Sequence, residues 1–339
     1  MSSSRTELMN HAREAITAAS NVVASLVDDL ERIRTITKDD RSPVTIADFA
    51  AQAVVGLMLR GCGVDDMVGE EDASRLREDE AVRNEVVCAV HRALPDATTD
   101  DVLSAIDGGD HQGGPDGLFW TLDPIDGTKG FLRGGQFALA LALIDHGTVV
   151  MGLMGCPHWG VHSDPSGGSV RKPGSICAAL LGEGTRSWVI GEDHAEASEL
   201  RVASWDDGDP IRTCESVESA HTSHDWSARI VEAFSGHEAV RLDSQTKYAV
   251  VASGASDAYL RLPTRPGYIE RIWDHAAGSL VATEAGAVVT DITGADLDFS
   301  HGRGLERNRG VVCASPTVHA RLIERIAELE AIDGTGGGT

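Results

Sequence analysis

Leu8, Ala12, Ala15, Ile16, Ala19, Val23, Leu26, Leu30 and Ile33 recur at helical spacing, a pattern that predicts a long amphipathic helix at the start of the chain. A second helix is expected over residues 45–60. The run Gly117-Leu118-Phe119-Trp120-Thr121-Leu122 reads as a buried strand. Residues 137–144 and 148–153 are apolar runs on either side of Asp145-His146-Gly147, a β-hairpin signal. The second half alternates, with helices near 225–234, 245–253 and 274–284 and strands at 258–262 and 287–292. Ser315-Pro316 then caps a closing helix to about residue 330. Gly- and Asp-rich stretches at 107–116 and 164–174 read as loops, and no internal repeat is present. With a boundary between about 156 and 175, the expected organisation is an N-terminal α+β domain over 1–160, a C-terminal α/β domain over 161–330 and a disordered tail over 331–339.

A chain of 339 residues, 42% of them hydrophobic, can bury a large core, and its length favours two domains. Against 29 Lys and Arg stand 53 Asp and Glu, a net charge of -24. Such a surface repels nucleic-acid polymers and anionic membranes, which are therefore not expected as partners. A small anion remains compatible if cations and local bases reverse the field inside a cleft. Cysteines 62, 88, 156, 177, 214 and 313 form no C-x-x-C pair and no zinc spacing, so reduced, mostly buried thiols in a cytoplasmic compartment are expected. Met1-Ser2-Ser3-Ser4-Arg5-Thr6-Glu7 lacks an apolar signal core, and no apolar stretch approaches the roughly 20 residues that span a bilayer. Neither a dinucleotide-binding glycine fingerprint opening a helix nor a P-loop is found.

The stretch with the most chemistry is Asp123-Pro124-Ile125-Asp126-Gly127-Thr128. It follows a buried strand and sets two carboxylates three residues apart. Pro124 is expected to end the strand in a turn, so that both Asp side chains and the Ile125 carbonyl converge on one point. Hard oxygen donors of this kind suit Mg²⁺, which keeps several waters and completes its shell with phosphate. A plain surface turn is the competing reading of the same residues. Gly69-Glu70-Glu71-Asp72 and Trp273-Asp274-His275-Ala276-Ala277-Gly278 add carboxylates from distant segments.

Taken together and in this order, those three segments resemble the inositol monophosphatase superfamily of Mg²⁺-dependent, lithium-sensitive phosphatases. The extended match over residues 120–134 narrows the resemblance to its 3′(2′),5′-bisphosphate nucleotidase branch, as do Ser42-Pro43-Val44-Thr45, Asp243-Ser244-Gln245-Thr246-Lys247-Tyr248 and Tyr259-Leu260-Arg261-Leu262-Pro263. It covers the chain from about residue 8 to about residue 328. The resemblance implies a layered αβαβα sandwich with α/β and α+β parts and metals at the junction. It implies removal of the 3′-phosphate of adenosine 3′,5′-bisphosphate, and also of its 5′-phosphosulfate analogue, with a place in sulfur metabolism. The expected partner is this small-molecule nucleotide bisphosphate; oligomeric state is left open, a monomer being compatible. An inositol mono- or polyphosphate 1-phosphatase shares every metal ligand and stays open as an alternative. So does a catalytically silent nucleotide- or metal-binding sensor, against which the intact Asp48 and Thr128 speak.

By the same resemblance, Glu70, Asp123, the Ile125 carbonyl, Asp126 and Asp274 hold two or three Mg²⁺ ions. Thr128 and Asp48 activate the attacking water, the Thr hydroxyl relaying between water and carboxylate. Local sequence offers Asp48 another role, as the N3 residue of a helix capped by Thr45. The backbone N–H groups of Gly127 and Thr128 hold phosphate oxygens. His221, Ser244, Lys247, Arg261 and Asp274 match the positions that contact the nucleotide, with His221 against the base. A Lys and an Arg are what a second phosphate requires, although either cation could be a salt-bridge partner. His221 and His224 lack further ligands of zinc spacing. Gly135 and the loop 108–117 depart from the branch pattern without touching a proposed ligand.

Overall fold

A computed structural model describes residues 4–33, 43–161, 174–192, 196–216, 224–265 and 267–336. Helices α1 (Arg5–Ile33) and α2 (Pro43–Leu59) are followed by the short strand β1 (Met67–Gly69) and by helices α3 (Ser74–Glu78), α4 (Glu80–Val90) and α5 (Thr99–Asp107). Strand β2 (Leu118–Asp126) then leads through helix α6 (Thr128–Leu132) to β3 (Ala138–Asp145), β4 (Thr148–Cys156), β5 (Ser175–Leu180), β6 (Thr185–Val189) and β7 (Ser198–Leu200). These seven strands lie side by side in chain order, all antiparallel except β1 on β2. The remaining elements are β8 (Ile211–Glu215), α7 (His224–Val231), β9 (His237–Arg241), α8 (Thr246–Ala252), β10 (Ala258–Arg261), a 3₁₀ turn (Ile272–Asp274), α9 (Ala276–Glu284), β11 (Val288–Thr290), β12 (Val311–Ala314) and α10 (Pro316–Gly336). A second, mixed sheet runs β11-β12-β10-β8-β9.

Strand alternation explains the layers. On β3, Leu139, Leu141 and Leu143 face one core shared with α1 and α2, while Ala138, Ala140 and Ala142 face another shared with α8 and α9. The small side chains matter because α9 lies close on the sheet: a Cβ on Gly152 would stand 2.7 Å from the Ala277 carbonyl oxygen. The outer face of the second sheet buries Ile211, Leu260 and Val312 against α7 and α10. The order is helices, sheet, helices, sheet, helices, which is the αβαβα sandwich that the resemblance implies.

The expected hairpin is present, with His146 (φ 47°) and Gly147 (φ 77°) as its left-handed turn between β3 and β4. Three expectations need correction. Strand β2 does not stop at Pro124; it continues to Asp126 through a shift of register against β3 between Asp123 and Asp126. Pairing with β1 ends at Leu122, so no ladder bond on that side asks for the missing Pro124 N–H. Helix α2 starts at Pro43, which places Asp48 inside the helix and not at N3 after a Thr45 cap. Helix α10 runs on to Gly336, beyond the expected end near residue 330.

Strands β4 and β5, on either side of residues 162–173, pair with each other. Five of the six cysteines are buried and Cys88 is exposed, all of them free thiols. Among the described residues no helix is long and apolar enough to cross a membrane.

Candidate active site

The parallel strands β1 and β2 deliver Glu70 and Asp123 to the same end of the first sheet. Gln52, buried in α2, fixes the first of these ends: its amide donates to the carbonyls of Glu71 (2.7 Å) and Ile106 (2.9 Å) and accepts from the Glu71 N–H (3.1 Å). Beyond the irregularity in β2 comes Asp126, then Gly127 at φ 86°, where the strand gives way to α6. A left-handed glycine is needed there twice over, since a Cβ would also lie 2.8 Å from the Ser244 Cβ. Ser244 is itself left-handed at φ 72°, and its hydroxyl donates to Thr246 Oγ1 at 2.8 Å. Next to it, the Gln245 backbone N–H donates to Asp126, and the Gln245 side chain donates to the Trp273 carbonyl at 2.9 Å. Asp274 follows at the end of the 3₁₀ turn.

A cleft of about 550 Å³ is lined by Glu70, Asp123, Ile125, Asp126, Gly127, Thr128, Ser244, Lys247, Arg261 and Asp274. Ten residues from distant segments thus meet in one cavity. Asp48 is buried outside that lining, within electrostatic reach of Asp123 and Glu70. Its helix packs on α6, which begins with Thr128, but the Thr128 hydroxyl donates to the Ile125 carbonyl at 3.4 Å. His221 lies outside the described residues.

Burial and mutual repulsion dominate the acidic wall. Asp123, only 2% exposed, is held far above the usual carboxylate range by burial and then by Glu70, Asp126, Asp274 and Asp48. Glu70 reaches the cleft's open side, yet its surroundings and the charges of Asp274 and Glu71 push it up to about 8, against a hydrogen bond with Asp123. Burial, then Glu71 and Glu70, raise Asp48. Asp274 is raised by burial and Asp126, with Arg261 opposing. One Asp123 oxygen is buried with no hydrogen-bond partner. Buried carboxylates that repel one another and leave an oxygen unsatisfied are costly without a counter-charge. A hard divalent cation fits this donor set. Glu270, Asp274 and His275 also place ligand atoms within 4.8 Å of one another, but the Arg261 guanidinium already sits among them.

The cations Lys247 and Arg261 line the same cleft, Arg261 in direct contact with Asp274. Lys247, 3% exposed, donates to the Leu242 carbonyl at 3.2 Å and lies 5.2 Å from the Tyr259 ring centroid. Burial, opposed by Asp126, draws its ammonium down to about 8. Arg261 Nη2 meets Glu270 at 2.6 Å and Asp274 at 3.2 Å. Glu270 is fixed in turn by His275 (3.3 Å), whose Nδ1 is 2.8 Å from the Tyr248 hydroxyl. Against burial, the His275 hydrogen bond and the Arg261 charge take Glu270 down to about 2. Sequence reasoning missed Glu270 as Arg261's anchor, and also Lys129, Arg265 and Tyr268, which line the same cleft. Arg265 stacks 4.8 Å from the centroid of Tyr268, an aromatic ring exposed at 38%.

The five-layer fold, with carboxylates gathered at the ends of two strands, is the fold of the inositol monophosphatase structures, and the sequence model of the inositol monophosphatase family matches residues 5–331. The chain belongs to that family. Among curated relatives it is similar to the 3′(2′),5′-bisphosphate nucleotidase 1 of Candida albicans, with 38% identity over 93% of this chain and 93% of the relative. The 3′(2′),5′-bisphosphate nucleotidase of Oryza sativa is 39% identical over 94% of this chain and 92% of its own, and that of Schizosaccharomyces pombe 37% over 95% and 94%. Among solved structures, the inositol monophosphatase from Anabaena (Nostoc) sp. PCC 7120 superposes with a TM-score of 0.61 at 18% identity, covering 95% of this chain and 96% of that one. Inositol monophosphatase-II from Staphylococcus aureus gives 0.60 at 16% identity, over 94% of each chain. These structures show the shared fold.

Proposed function

We propose that the protein is a Mg²⁺-dependent, lithium-sensitive 3′(2′),5′-bisphosphate nucleotidase that releases the 3′-phosphate of adenosine 3′,5′-bisphosphate, and of its 5′-phosphosulfate analogue, to leave the 5′-nucleotide. The observation that carries this reading is the gathering in one cleft of the carboxylates Glu70, Asp123, Asp126 and Asp274 with the cations Lys247 and Arg261. Glu70, Asp123, Asp126, Asp274 and the Ile125 carbonyl would hold Mg²⁺. When bound, Mg²⁺ supplies Lewis-acid stabilisation of the phosphoryl oxygens and lowers the pKa of water.

The chain's own groups then divide the work. Gly127 and Thr128 present backbone N–H groups to the reacting phosphate at the turn after β2. Thr128 and Asp48 are assigned to the attacking water, Asp48 lying buried within electrostatic reach of Glu70 and Asp123. Engagement of this pair requires the Thr128 hydroxyl to leave the Ile125 carbonyl. Lys247 and Arg261 receive the phosphate at the other end of the nucleotide, with Ser244 beside them. Arg261 keeps its orientation through Glu270. Phosphate release from adenosine 3′,5′-bisphosphate and from inositol 1-phosphate, measured side by side, tests the reading: a large preference for the nucleotide supports it, and a preference for the inositol phosphate removes the assigned role of Lys247 and Arg261.

A further inference from the structure

We propose that Arg303 is a positioning residue that fixes the separation of Glu70 and Asp274, and thereby the affinity of the cleft for a divalent cation; the inference rests on the metal reading above. Those two carboxylates come from opposite halves of the chain, and Arg303 is joined to both segments. Its Nη2 donates to the carbonyl of Gly69, the residue before Glu70, at 2.5 Å. Its Nη1 donates to the carbonyls of Gly109 (3.3 Å) and His111 (3.1 Å), next to the Gly69 N–H that donates to the Gly109 carbonyl at 2.9 Å.

On the other side, the Arg303 carbonyl accepts the N–H of Ile272, which opens the turn ending at Asp274, at 3.2 Å. The guanidinium also stacks 4.9 Å from the centroid of Trp273, the residue before Asp274. The flanking backbone adds to this attachment, with Leu305 N–H donating to the Glu270 carbonyl at 2.8 Å and Arg271 bridging to Gly304. One planar fork thus spans two ligand-bearing segments through three carbonyls and a ring. A lysine ammonium has the charge but not the fork. Groups that orient metal ligands without touching the ion typically change metal affinity by about 10- to 100-fold when removed.

The test is calorimetric titration of Mn²⁺ into the chelator-treated full-length protein without substrate, for wild type, Arg303→Met and Arg303→Lys, with thermal midpoints of the metal-free proteins measured alongside. Arg303→Met keeps an apolar stem for Trp273 and loses every donor. It is expected to raise the Mn²⁺ Kd by about 10- to 100-fold, with Arg303→Lys between it and wild type. At saturating Mn²⁺, KM for the nucleotide should stay within about twofold of wild type, since Lys247 and Arg261 are untouched. Wild-type Mn²⁺ affinity in a folded Arg303→Met protein overturns the proposal; should that variant not fold, wild-type affinity in Arg303→Lys overturns it. Absence of Mn²⁺ uptake by the wild type would overturn the metal reading and the proposal together.

Discussion

Asp126 accepts the backbone N–H of Gln245, a residue 119 positions further along the chain, whose side chain in turn donates to the Trp273 carbonyl beside Asp274. One glutamine therefore ties a carboxylate of the first half to a carboxylate of the second. Asp126→Asn keeps an acceptor for that N–H and deletes a charge that repels Asp123 and Asp274. The variant should fold with an unchanged or higher thermal midpoint when metal-free, and should lose phosphate release by about 100-fold or more. Near-normal turnover would remove Asp126 from the metal set.

Lys247 gives a prediction with a sign. Its folded pKa of about 8 lies below the ordinary lysine value of about 10.4. Between those values the unfolded chain carries a proton that the native protein lacks, so stability rises with pH through that window. Below about 8 both states are protonated and the burial cost of the charge is felt in full. Lys247→Met should be more stable than wild type at pH 7, with the difference shrinking towards pH 10.5 in denaturant titrations. The same substitution should raise KM for the nucleotide bisphosphate far more than for inositol 1-phosphate; equal effects would deny Lys247 a part in specificity.

Gly127 faces Ser244 so closely that alanine there carries two penalties, the left-handed backbone at φ 86° and a Cβ 2.8 Å from the Ser244 Cβ. Gly63, at φ 96° with nothing within 4 Å of its virtual Cβ, isolates the first penalty. Gly63→Ala should cost about 1–2 kcal/mol, and Gly127→Ala measurably more. Equal shifts of the denaturation midpoint would show that the close approach relaxes freely.

The unpartnered, buried oxygen of Asp123 predicts stabilisation by the ion it would bind. At Mg²⁺ near a hundred times its Kd, the protein should gain about 2.7 kcal/mol. Calorimetric scans with Mg²⁺ and with chelator measure the gain, and Asp123→Asn should abolish most of it. A wild-type midpoint indifferent to Mg²⁺ would argue for a cleft without a bound cation.

What was legible in the sequence was whatever local chemistry writes. The opening helix, the β3–β4 hairpin and the carboxylates at Asp123 and Asp126 follow from periodicity, turn residues and spacing. Strand β1, three residues long, is too short to have a period, although it carries Glu70 into place. Pro124 was misleading because its tolerance within β2 depends on where β1 stops pairing. The contacts of Glu270 with Arg261 and His275, and of Arg303 with a Gly69 carbonyl 234 positions away, were invisible because they join segments distant in the sequence. The resemblance assigned the water to Thr128 and Asp48 but could not reveal that the Thr128 hydroxyl donates to the Ile125 carbonyl.

The most direct test of the account is the identity of the product formed from adenosine 3′,5′-bisphosphate in Mg²⁺, with and without Li⁺, resolved by chromatography alongside released phosphate. The gathering of Asp123 and Asp126 with Lys247 and Arg261 in one cleft predicts adenosine 5′-monophosphate and phosphate in equal amounts, suppressed by chelator and by Li⁺. Formation of adenosine 3′-monophosphate, or turnover unaffected by chelation, would contradict it.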